Sequence, residues 1–152
     1  MPATLGHIGV QALITRGVIR GADFKWILLG CVLPDVPWIL QRLTRAGLPS
    51  VDVFDLRIYA IVQSSLVFTL ILCGACALVA RHPLRVFGIL AVGALLHLLL
   101  DASQTKWANG VILFAPLDWR LVAFGFYWPE DVITLILLLF GLAYAAFAWW
   151  AF

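Results

Sequence analysis

Residues 84–102 read LRVFGILAVGALLHLLLDA. Apart from Arg85 at the start, the only ionisable residues in this run are His97 and Asp101, both near its end. At the helical rise of about 1.5 Å per residue, such a run crosses the roughly 30 Å hydrocarbon core of a bilayer. Three further runs qualify on the same grounds, residues 24–40, 58–80 and 132–152. A shorter segment, residues 4–19, is apolar at first and carries Arg16 in its last turns, so it reads as a half-spanning helix. The predicted fold is an all-α polytopic membrane bundle of four spans and one half-span, forming a single integral membrane domain over residues 1–152.

Composition supports that reading. The chain has 152 residues, 64% apolar and only 12% charged, with a mean hydropathy of +1.04. Soluble domains carry about a quarter charged residues, and one this small could not hide so much apolar surface from water. The net charge of +2 is too small for a phosphate-tracking protein, and the basic residues punctuate apolar runs rather than lining a face, which argues against nucleic acid as a partner. The partners expected are the lipid bilayer, a lipid substrate and a protein partner or second copy. Residues 5–15 lack a preceding basic region and a small-residue cleavage site, so this segment reads as retained. Cys31, Cys73 and Cys76 all lie in apolar runs, which argues against a secreted disulfide framework; Cys73-Gly-Ala-Cys76 reads as small-residue packing.

Alternation of the spans places residues 16–25, the turn Arg81-His82-Pro83-Leu84-Arg85 and the C-terminus on one face, here the near face. Residues 41–57 and 103–130 fall on the opposite, far face. Five of the ten Lys and Arg lie on each, so charge leaves the orientation open, although the compact Arg81–Arg85 turn favours a cytoplasmic near face. Residues 103–130 contain apolar pieces too short to span, interrupted by Pro116-Leu117-Asp118. They are expected to form an interfacial or re-entrant flap over a cavity, with Trp107, Trp119, Tyr127 and Trp128 at the headgroup level.

Ionisable groups inside spans cost several kcal/mol unless paired, hydrated or bound to metal. His97 and Asp101 are four residues apart and share a helix face. Asp35, in Leu33-Pro34-Asp35-Val36-Pro37, falls in the far half of the second span, where Pro34 and Pro37 are expected to break the helix. His7 reaches the same depth if the first helix descends from far to near, and Gln63 opens the third span. Two imidazoles and two carboxylates suit a divalent ion, Zn or Mn. The competing reading is structural, a buried His-Asp pair that neutralises itself. Far-face Arg42, Arg45, Arg57, Lys106 and Arg120 read either as interfacial anchors or as contacts for an anionic headgroup. No Gly-rich phosphate loop, G-x-S-x-G elbow or H-E-x-x-H pair is present, and Ser64 and Ser65 read as packing hydroxyls.

The order of these motifs, Gly6-His7-Ile8-Gly9, then Gly30-Cys31-Val32-Leu33-Pro34-Asp35, then a polar start to the third span, then His97-Leu98-Leu99-Leu100-Asp101 and a Pro116-containing segment, resembles the membrane-bound metal-dependent hydrolases labelled YdjM-like. The resemblance covers most of the chain and implies His7, Asp35, His97 and Asp101 as metal-site residues. This chain departs from that pattern at Pro37, where a second aspartate is common, and at Gln63-Ser64-Ser65, where a Thr-His-Ser-like motif is common. The resulting expectation is a bacterial inner-membrane hydrolase of phospholipids or polyprenyl phosphates. Its catalytic residues would be Asp35, His97 and Asp101, and its substrate contacts Gln63, Lys106 and Arg120. The alternatives are a non-catalytic membrane subunit or binding protein with a degenerate metal site, and a small transporter.

Overall fold

The computed structural model describes residues 4–48, 51–105, 111–128 and 130–151. Its regular elements are all helical: α1 (Thr4–Val18), α2 (Phe24–Val32), a 3-10 turn (Leu33–Asp35), α3 (Val36–Gly47), α4 (Val53–Gln63), α5 (Leu66–Leu78), α6 (Pro83–Ser103) and α7 (Val132–Ala151). α6 lies at the centre and packs against α2, α5, α1 and the 3-10 turn, while α1 makes its most extensive contact with α7.

Two helices are long and apolar enough to cross a membrane, the continuous Phe24–Gly47 and Pro83–Ser103, with a third if the bent pair α4 and α5 is counted as one span. This is fewer than the four spans expected. Pro34 and Pro37 do not unwind the second span. Both occupy the opening positions of a helical element, where a missing N–H is tolerated, and Val36 N–H turns back to Leu33 O across the 3-10 turn. The helix therefore runs on past Leu40 to Gly47.

The third expected span does break, at Ser64-Ser65, with a bend of 65°. Ser64 leaves the helix at φ −88°, ψ 0° and donates its hydroxyl to Ile61 O, while Ser65 is extended at φ −65°, ψ 158° and opens α5. Short hydroxyl side chains that bond their own backbone compete with helix continuation. The last expected span forms α7, which runs over Val132–Ala151. Ile133, Leu135, Ile136, Leu139, Phe140 and Phe147 are all exposed along it, as expected of a helix bathed in lipid.

Close helix approach depends on glycine at two crossings. A Cβ on Gly9 would collide with the backbone of Gly141, which fixes α1 against α7. A Cβ on Gly30 would come within 2.9 Å of Leu90 O, and one on Gly93 within 3.3 Å of the Gly30 backbone, which fixes α2 against α6. The second crossing lies directly beside Cys31 and one turn from His97, so it sets the spacing of the groups described below.

The described part of the segment after α6 is largely non-helical, and several of its backbone groups bond to protein. Val111 and Val122 exchange hydrogen bonds of 3.0 and 2.9 Å, Thr105 N–H donates to Tyr127 O, and Phe124 N–H and Phe126 N–H donate to Ala102 O and Ser103 O at the end of α6. Leu66 N–H, an orphan donor at the first position of α5, is satisfied by Leu113 O at 2.8 Å. That bond joins the flap to the α4–α5 break. Leu66→Pro removes this donor at a helix position where proline is tolerated, after a residue already extended. The expected result is a loss of about 1 kcal/mol, with faster amide exchange over residues 111–122 and unchanged helix content by circular dichroism. Equal exchange in both proteins would show that the bond does not hold the flap.

Candidate metal centre

α1 and α6 run antiparallel, and their polar positions meet. His7 sits in the second turn of α1 with His97 opposite it on α6, their rings edge to face with centroids 5.1 Å apart. Both are almost fully buried, at 2% and 1% exposure. Asp101, one turn beyond His97, brings Oδ2 to 3.9 Å from His97 Nε2. The 3-10 turn delivers Asp35, 5% exposed, with Oδ1 3.6 Å from the same nitrogen. Across the bundle, one ligand atom each from His7, His97 and Asp101 lie within 4.8 Å of one another, so this group could hold a metal ion.

The donor set fits a divalent cation. Two imidazoles and a carboxylate form a common three-ligand set that leaves a coordination position open for water or substrate. The charges point the same way, since a protonated His97 offers one positive charge to two carboxylates at its Nε2, whereas a divalent ion offers two. Asp35 meets the centre through its contact with His97 and lies outside the three-residue group, so the four residues expected to act together divide into a triad and a neighbour.

The other face of His97 is also engaged. Cys31 Sγ lies 3.9 Å from His97 Nδ1. The acids lie at the other ring nitrogen, Nε2, which can ligate a metal in the tautomer whose proton is on Nδ1 and points at the sulfur. Gln11, fully buried on α1, reaches the same helix turn. With its amide set in the orientation that satisfies both groups, it donates to Gly93 O at 3.2 Å and accepts from His97 N–H at 3.3 Å. Neither residue had been singled out as part of the site. The signal for Gln11 was the spacing itself, since His7, Gln11 and Thr15 recur every four residues and form a buried polar stripe on one face of α1. Cys31 offered no such signal, because a cysteine in an apolar run reads as packing.

The expected substrate contacts are placed less closely. Gln63 ends α4, half-buried at the bend. Arg120 lies on the flap with its side chain 90% exposed and its Nε 3.9 Å from Asp118 Oδ1, away from the buried acids. Lys106 falls outside the described residues, as does Trp107. Ser65 and Thr69, one turn apart on α5, bury hydroxyls that have no hydrogen-bond partner among the described residues. Cys73 packs with Leu33, Leu90 and Ala94, in line with a packing role for that cysteine pair. The chain matches no family model, no curated protein and no solved structure.

Proposed function

We propose that the protein is a membrane-embedded metal-dependent hydrolase acting on an amphiphilic substrate such as a phospholipid or polyprenyl phosphate. The observation that carries this reading is the gathering of His7, His97 and Asp101 donor atoms within 4.8 Å, with both histidines buried, where α1 meets the membrane-length helix α6. A buried cluster of this kind is costly in an apolar bundle without a cation and is well suited to one. His7, His97 and Asp101 hold the ion, Zn or Mn. When bound, it would lower the pKa of a water molecule and polarise the scissile group. Asp35, whose Oδ1 lies 3.6 Å from His97 Nε2, stands beside the ion's position and is placed to take a proton from the attacking water. The motif order that resembles the YdjM-like hydrolases, and a bacterial inner-membrane location, belong to this same proposal.

The test is hydrolysis of synthetic lipid phosphoesters and phosphomonoesters by the purified chain supplied with Zn or Mn. Turnover should appear with metal, vanish with a chelator, and fall by about a hundredfold or more in Asp35→Asn, within the range expected for loss of an acid-base group. Metal-loaded, folded protein that cleaves none of these substrates would leave the cluster as a structural or binding site.

A further inference from the structure

At the opposite end of α6 from the metal centre, the turn joining α1 to α2 faces the turn joining α5 to α6 across a cavity of about 340 Å³. Its walls carry Gly21, Asp23 and Lys25 on one side and Arg81, His82 and Arg85 on the other. The volume falls within the roughly 300–1,000 Å³ of small-molecule sites. Three fixed positive charges stand against the one acid, Asp23. The Lys25–Asp23 contact, at 3.9 Å between side chains 72% and 65% exposed, is a solvent-screened pair that holds the lysine weakly.

Arg85 gives the cavity its shape. Its Nη2 donates to Arg20 O at 2.8 Å and Gly21 O at 2.9 Å, pinning the two turns together. Both bonds use one nitrogen, and a guanidinium has five N–H donors, so the fork keeps Nε and Nη1 for an anion. Two helix starts add to the field. α2 and α6 both begin here, and neither Asp23 nor His82 caps its helix with a side-chain hydrogen bond. Pro83 has no N–H and Trp26 N–H is taken by Asp23 O, but the two positive dipole ends still favour a negative group between them.

Position identifies the source of that group. The cavity lies at the shared end of Phe24–Gly47 and Pro83–Ser103, the two helices fit to span a membrane, and so at the headgroup level. Leu78, Val79 and Leu84, exposed at 79%, 85% and 88%, surround the α5–α6 turn with surface that suits acyl chains. Arg85 and His97 are twelve positions apart on one helix, about 18 Å, so this is a separate site.

We propose that the cavity binds the phosphate headgroup of an anionic phospholipid, fixing the near face of the bundle in the membrane. The full chain in detergent, titrated with short-chain phosphatidylglycerol and followed by native mass spectrometry, tests this. Phosphatidylglycerol should be retained at least tenfold over phosphatidylcholine. Retention should fall roughly tenfold or more in the Lys25→Ala, Arg81→Ala double variant, whose side chains are exposed and outside the packed core. Equal retention of the two lipids, equal retention by the double variant, or displacement by millimolar inorganic phosphate would each overturn the assignment, the last by assigning the cavity to a soluble anion.

Discussion

His97→Ala should abolish divalent-ion binding by the purified chain. Its imidazole is the point at which the centre converges: His7 approaches its ring, Asp35 and Asp101 approach Nε2, and Cys31 lies at Nδ1. Loss of an outer partner of a ligand typically weakens metal binding about 10–100-fold, and loss of the ligand itself should exceed that. Elemental analysis after growth in Zn and Mn should find close to one ion per native chain, and a small fraction of that in His97→Ala. Asp101→Asn, which keeps shape and removes charge, should also lose the ion, and its unchanged circular dichroism would separate lost ligation from lost fold. A native chain that retains no ion when metal is added back, or a folded His97→Ala protein that keeps it, would remove the basis for the metal reading.

Gly9→Ala should be the most damaging single-methyl change in the bundle. The new Cβ would meet the Gly141 backbone, which has no flexible side chain to move aside, so α1 and α7 must separate. Overpacking costs roughly 1–3 kcal/mol, and a backbone clash belongs at the upper end. Because α1 carries His7, metal content should fall along with the unfolding temperature. Gly17→Ala provides the comparison on the same helix. Its Cβ would meet nothing within 4 Å, so it should leave stability unchanged or raise it by up to about 1 kcal/mol through the better helix propensity of alanine. Similar thermal unfolding of the two variants in detergent would show that the Gly9–Gly141 approach does not hold the helices.

The residues of the centre were legible in sequence because a bilayer makes each ionisable group conspicuous, and the four-residue spacing of His97 and Asp101 placed them on one face. The depth of His7 and Asp35 followed from alternation of the spans. The division of labour did not follow, since whether Asp35 joins the triad or stands beside it depends on a 3-10 turn that composition does not encode. Among the elements, the uninterrupted apolar run of α6 was readable directly. The break at Ser64-Ser65 was not, because hydropathy averages across two serines while their hydroxyls and backbone end one helix and open another. For the flap, the sequence indicated the need for internal hydrogen bonds, but the pairing of Leu66 with Leu113 joins positions too far apart in the chain for local pattern to show.

The clasp between α1 and α7 bears on the order in which the molecule is made. The helix bearing His7 is synthesised early, yet the surface that seats it most extensively, α7, emerges only with residues 132–151. Translation therefore delivers the first imidazole of the centre long before its seat exists. Nascent chains arrested ahead of Val132 should fail to retain an added divalent ion even though His97 and Asp101 have already left the ribosome.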